Sequence, residues 1–224
     1  GIKWMWAMVA GRLGEALAAV DQMVAIALEQ GAPDRREAWL AIAEQARCPI
    51  LTFSGRFADA LQSTRGALAR SRGRARAIDR WVQIPSFRAS ALCDGGRAAF
   101  FLGQPAVAQR MIGRALAEAL AAEALLGPGP VPSTDVMFAL FNLALLSQKQ
   151  GRVADTLRHA QALLARSDGR ALHFEHKARL LLGWAEVEAG LARGDELAAE
   201  RGFAAQAAAR EALEQINARI GRIA

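Results

Sequence analysis

Apolar side chains recur along this chain in steps of three and four residues, and a glycine interrupts the pattern at regular intervals. Counted from Gly11, Gly55, Gly103 and Gly151, offsets of 2, 6, 9 and 13 pick out matching positions. They are Leu13, Leu17, Val20 and Val24, then Phe57, Leu61, Thr64 and Leu68, with Val153, Leu157, Ala160 and Leu164 in the fourth stretch. The third, Pro105, Gln109, Ile112 and Leu116, is the least regular. Steps of 4, 3 and 4 place such side chains on one stripe of an α-helix. Each glycine therefore reads as the turn before a second helix, where a residue without Cβ takes positive φ at little cost. Pro105 suits an early helical position, because its missing N–H would have no partner there.

The glycines lie 44, 48 and 48 residues apart (11 to 55, 55 to 103, 103 to 151), a period typical of stacked helical hairpins. Seven residues before three of them stand Cys48, Gly96 and Ala144, all small, and five after them come Ala16, Ala60, Ala108 and Thr156. Small residues on both helices let the two backbones approach closely. Gly183 before Gly190 repeats the upstream spacing and predicts a fifth hairpin, with Asp195 in place of its alanine. The predicted pairs are 2–10 with 12–30, 34–53 with 56–71, 77–102 with 105–126, 133–150 with 153–167, and 170–190 with 194–221. Pro33-Asp34 is expected to cap one helix, and Pro49 and Pro85 to kink or divide theirs.

This skeleton resembles the tetratricopeptide (TPR) repeat. The resemblance implies an all-α fold, an α-solenoid of about five TPR-like antiparallel helical hairpins over a single domain, 1–224. The period exceeds the usual length of about 34 residues, so longer helices or inserted loops are expected. Trp4 stands where the first unit should carry a small residue. Leu102-Gly103-Gln104-Pro105 and Leu182-Gly183-Trp184-Ala185 are also similar to the C-terminal repeat region of bacterial signalling ATPases. That likeness implies an attached ATPase, cyclase or DNA-binding domain.

The richest break is Gly127-Pro-Gly-Pro-Val-Pro132, followed by Ser133 or Thr134 as an N-cap. It is read as a loop inside the array, because the repeat spacing continues across it. Leu213, Ile216, Ile220 and Ile223 share one stripe of the last helix, which either caps the stack or docks a partner helix.

Composition agrees with helices throughout: 53% of the 224 residues are hydrophobic, with no tyrosine. Such apolar content offsets chain entropy and argues against disorder. Cys48 and Cys93 are the only cysteines and lack metal or disulfide spacing; a reduced, cytoplasmic setting is expected. No stretch approaches the roughly 20 apolar residues of a membrane span. The start, Gly1-Ile2-Lys3-Trp4, has neither an initiating Met nor the shape of a signal peptide, so a fragment of a longer protein is expected.

The net charge of +6 comes mainly from arginine. Its densest run, Arg65 to Arg80, includes Arg72, Arg74, Arg76 and Arg80 in the connection between the second and third hairpins. Those four are the candidate contacts for nucleic acid or another anionic partner. The other reading is a solvated loop whose arginines complement a helix C-terminus. No phosphate-cradling, dinucleotide or HExxH motif is present, so no catalytic residue, cofactor or metal ligand is assigned. His173 and His176 could share a helix face with His159 nearby, but an exposed helix start is the ordinary explanation for them. The five tryptophans are read as packing groups rather than base-stacking platforms.

In stacks of the resembled kind the first helices line a surface that receives peptides or helices. On the register above, Gln45, Asp94, Arg97, Asn142, Lys149 and Lys177 are the candidates to project there, interrupting otherwise apolar helices. The expected function is a non-enzymatic protein–protein interaction module, the sensor or scaffold region of a bacterial signalling or transcription regulator. The alternative is a free-standing repeat protein that binds nucleic acid through Arg65–Arg80.

Overall fold

The structure is a computed structural model that describes residues 3–30, 32–73, 78–79, 86–127, 133–167, 169 and 171–223. Ten helices run through the described residues, without strands: α1 Lys3–Val9, α2 Leu13–Leu28, α3 Pro33–Phe53, α4 Phe57–Arg70 and α5 Phe87–Phe101. They are followed by α6 Pro105–Leu126, α7 Thr134–Lys149, α8 Val153–Ser167, α9 Leu172–Arg193 and α10 Glu196–Ile223. They fall into two compact units, Gly1–Ala122 and Glu123–Ala224.

Five turns close in the same way. The residue after each turn glycine donates its N–H to a carbonyl five positions back: Arg12 to Ala7, Arg56 to Leu51, Gln104 to Ala99, Arg152 to Ser147 and Asp195 to Gly190, at 2.8–3.0 Å. The glycines themselves, Gly11, Gly55, Gly103, Gly151 and Gly194, have φ between 67° and 74°. This αL closure satisfies carbonyls that a helix end would otherwise leave unpaired. It corrects the fifth hairpin. The turn is at Gly194, not Gly190, which lies inside α9. Counted from Gly194, Ala199 takes the place of Ala16, Ala60, Ala108 and Thr156, and all five are buried. The missing alanine in the fifth unit was a register error of four residues, one turn of helix.

Within the first unit, each hairpin's second helix packs on the next hairpin's first helix, α2 on α3 and α4 on α5, while α1, α3 and α5 meet in succession. The second unit repeats this with α7, α8, α9 and α10. Small residues set the approach. A Cβ on Gly96 would lie 2.4 Å from Ile112 Cγ1 and 3.3 Å from the Ala108 carbonyl, and one on Gly95 would lie 2.5 Å from Thr64 Cγ2. The core is accordingly rich in alanine, filled out by Val20, Ile50, Phe87, Ile112, Met137, Leu163 and Leu181. Trp4 and Trp39 pack half-buried against these clusters; Trp81 lies outside the described residues.

Three local expectations change. The third hairpin's first helix is interrupted at Ser86: α5 begins at Phe87, where Ser86 Oγ accepts from Ala89 N (3.1 Å) and Asp79 Oδ1 from Phe87 N (2.7 Å), while Ile78 and Asp79 are helical and residues 77 and 80–85 lie outside the described residues. Two side chains thereby satisfy N–H groups at the helix start. Pro49 does not divide α3, which runs on through it to Phe53. Pro33 opens α3 at its first turn, but the cap position belongs to Ala32, with no side-chain bond; Asp34 sits in the first turn, where a negative charge suits the helix dipole. Pro85 lies outside the described residues. Ser133 caps α7 as expected, accepting from Val136 N. The last helix, α10, buries Ala198, Ala199 and Ala209, while Leu213 and Ile216 are half-buried.

Candidate partner-binding faces

The second helices open with a repeated local pair. Arg12 meets Glu15, Arg56 meets Asp59 and Arg152 meets Asp155, each at i,i+3 and 2.7–3.2 Å. All are largely or partly exposed, so each contributes only a few tenths of a kcal/mol. These arginines are occupied by their own turn. A polar groove of about 530 Å³ lies between α2, α3 and α4, lined by Asp21, Glu44, Arg47, Asp59, Ser63 and Arg70 among others. Its charges are also paired internally: Arg47 with Asp21, Arg70 with Glu37, and Glu44 with Ser63 Oγ.

The first helices carry the predicted face. Gln45 on α3 donates from Nε2 to Asp94 Oδ2 (3.1 Å) and Ser90 Oγ (3.4 Å) on α5. Two consecutive hairpins are thus joined by polar side chains. Asp94 is only 4% exposed, and burial pushes its carboxyl up to about 6 against the opposing pull of Arg97 and the Gln45 hydrogen bond. One turn on, the Arg97 guanidinium rests over the Phe53 ring, 5.2 Å from its centroid. The structure therefore brings Gln45, Asp94 and Arg97 together.

In the second unit Lys177 Nζ stands 4.5 Å from the Phe141 centroid and 5.5 Å from that of Phe174, linking α7 to α9. Lys149 is exposed at the end of α7. Asn142 is not a projecting group: it is 1% exposed, its Nδ2 donates to the Phe138 carbonyl (2.7 Å), and its Oδ1 has no partner. The expectation of projecting into a groove fails for that side chain and for the likewise buried Asp94. Asn142 and Asp94 both stand nine residues before their turn glycines, so this buried polar position recurs in two hairpins.

Of the arginine run, Arg74, Arg76 and Arg80 lie outside the described residues. Arg72 is exposed just after α4, and Arg70 pairs with Glu37 at 2.8 Å. Among the described residues no three His, Cys, Asp or Glu side chains are grouped to hold a metal. His173 is half-buried, and burial, then Lys177 and His176, hold it down to about 4. The Cys48 thiol accepts from Thr64 Oγ1 (3.1 Å), and burial raises it to about 12, far from a reactive thiolate. No helix among the described residues is long and apolar enough to cross a membrane.

The chain has a TPR-like helical-repeat fold, all-α and of the α-solenoid class. It is similar to a crystal structure of nearly identical TPR-like repeats from a kinesin light chain-type protein of Podosopora anserina, with a TM-score of 0.57 and 17% identity over 91% of this chain and 92% of that one. A variant of that protein matches with a TM-score of 0.57 and 16% identity, covering 93% of each chain. No family model and no curated protein matches. At such identities the likeness speaks for the fold alone.

Sequence reasoning missed the aromatic groups at the turns. Phe53 and Phe101 end α3 and α5 more than half exposed, and Phe57 stacks on Phe101 with centroids 4.9 Å apart. Their signal was a shared place, two residues before Gly55 and Gly103, with Val9 in the same place before Gly11. It was masked by the assumption that apolar residues in a repeat belong to the core.

Proposed function

We propose that this chain is a non-enzymatic protein-interaction module whose first helices receive a peptide or helix from a protein partner. The observation that carries it is the Gln45–Asp94 hydrogen bond between successive first helices, with Arg97 beside it. Gln45 and Arg97, half-buried on adjacent first helices and held in place by the buried Asp94, give a bound segment both register and orientation, which a uniformly apolar face would not. The Lys177 site on Phe141 and Phe174 extends the same reading to the second unit.

The resemblance to repeat regions of bacterial signalling ATPases supports a narrower context. In it the chain is a single repeat domain, the sensor or scaffold part of a bacterial cytoplasmic signalling or transcription regulator. Engagement of its surface would alter an attached ATPase, cyclase or DNA-binding domain. Selecting peptides from a random display library against the chain, then measuring fluorescence anisotropy with the tightest one, tests the reading. Gln45→Ala and Lys177→Ala are expected to weaken binding severalfold, with Arg110→Ala and Glu200→Ala on second helices as controls. Equal loss from the controls, or none from the first-helix variants, contradicts it.

A further inference from the structure

Val9, Phe53 and Phe101 occupy one position in three successive hairpins of the first unit, two residues before Gly11, Gly55 and Gly103. All three are exposed, at 59%, 57% and 54%. At the second and third turns this apolar row is joined into a continuous surface. Arg97 lies over Phe53, Phe101 follows Arg97 by one helical turn on α5, and Phe57 stacks on Phe101 with ring planes 19° apart. Phe100 meets Phe101 edge-on at 5.6 Å, and Leu102 is 37% exposed beside them. Scattered exposed apolar residues need no explanation, but contiguous ones built around a cation do.

Charge decides what this edge accepts. Arg12 and Arg56, the neighbouring arginines, are held by Glu15 and Asp59. Arg97 makes no ion pair with any described residue. Its near carboxylate, Asp94, is buried and already receives Gln45. The guanidinium is instead spread on an exposed ring, with N–H groups able to receive a carboxylate.

We propose that the turn edge of the second and third hairpins, Phe53, Phe57, Arg97 and Phe101, is a docking surface for a partner segment. Its chemistry is large apolar side chains flanked by aspartate or glutamate. The apolar groups cover Phe53 and Phe101, and the acid meets Arg97. The proposal rests on the reading that the chain binds protein; the surface shares Arg97 with the first-helix line but not Gln45 or Lys177, the positions that test that reading.

The test uses a fluorescein-labelled synthetic peptide in which glutamate alternates with phenylalanine and leucine, and the same peptide with lysine for glutamate. The expected result is binding of the glutamate peptide about tenfold tighter than the lysine peptide, weakening with salt. Phe53→Ala and Phe101→Ala each weaken it about tenfold, and Arg97→Gln removes the preference for acid. Phe101→Ala also unstacks Phe57, so circular dichroism melting accompanies it; if that variant unfolds, Phe53→Ala decides. Failure of the glutamate peptide to bind, equal binding of both peptides, or wild-type binding by Phe53→Ala overturns the proposal. Loss of binding in Gln45→Ala and Lys177→Ala alone overturns it too, while leaving the first-helix reading intact.

Discussion

Gly183 on α9 and Gly202 on α10 face each other so closely that a Cβ on either would fall within 2.8 Å of the other's carbonyl oxygen. Both obstacles are backbone, which cannot rotate away. Gly183→Ala or Gly202→Ala should therefore cost about 2–3 kcal/mol through overpacking. Gly113 is the control: it is exposed in mid-helix on α6, and a Cβ there meets nothing within 4 Å. Gly113→Ala should gain about 0.5–1 kcal/mol, since alanine is the better helix former. Urea denaturation of the three variants checks the signs.

The fifth turn makes a separate prediction. Gly194 has φ 68° with open space around its Cα, whereas a Cβ on Gly190 would lie 2.8 Å from Ala199 N. Gly194→Ala should cost about 1–2 kcal/mol from αL strain alone. Gly194→Asn, which tolerates that conformation, should recover part of it. At Gly190 the obstacle is steric, so asparagine should be worse than alanine. Recovery by asparagine at Gly190 instead would return the turn to residue 190.

Asp94 links the first-helix face to pH. Its carboxyl is raised from 3.8 to about 6 by burial, so the folded state holds this proton more tightly than the unfolded chain does. The benefit of protonation is full below about pH 4 and is lost as pH rises through 6. A rise of this size corresponds to a loss of order 3 kcal/mol. His173, held down to about 4, acts oppositely: its contribution is present above 6.5 and is lost as pH falls. The overall pH profile therefore mixes the two, and the difference between wild type and Asp94→Asn isolates the carboxyl. Asn142 already fills this repeat position in the next hairpin. Relative to wild type, Asp94→Asn should be more stable at pH 7.5 than at pH 4.5 by urea midpoints; parallel profiles would contradict the assignment.

Partly buried ion pairs should exceed exposed ones. Arg88 and Glu118, 23% and 25% exposed, join α5 to α6, while Arg158 and Asp155, 69% and 31% exposed, lie within α8. Double-mutant cycles should give about 1 kcal/mol or slightly more for the first pair and under about 0.5 for the second. A coupling that vanishes in 1 M salt for Arg88–Glu118 but persists for Arg158–Asp155 would reverse this ranking.

The sequence made the hairpins legible because one requirement, an αL glycine with small residues on either side, leaves a fixed spacing at Gly11, Gly55, Gly103 and Gly151. It misplaced the fifth turn because glycine serves two purposes. Gly183 and Gly190 admit a neighbouring backbone, and only their surroundings separate that role from the positive φ of Gly194. The break at Ser86 was missed because the apolar pattern in the sequence runs through it, whereas the start of α5 is set by hydrogen bonds that Ser86 and Asp79 accept from Ala89 N and Phe87 N. At the site, periodicity placed Gln45, Asp94 and Arg97 on first helices, and all three meet. It could not tell that Asp94 and Asn142 turn inward, since a polar residue on an apolar face reads alike whether it projects or is satisfied within the helices.

Hydrogen–deuterium exchange of the chain with and without a library-selected peptide reads out which helices a bound segment covers. Slowed exchange is expected in first helices, over Pro33–Phe53, Phe87–Phe101 or the matching segments Thr134–Lys149 and Leu172–Arg193, with little change in Leu13–Leu28 or Val153–Ser167. Protection confined to those second helices, with the first helices unchanged, would contradict binding by the first helices.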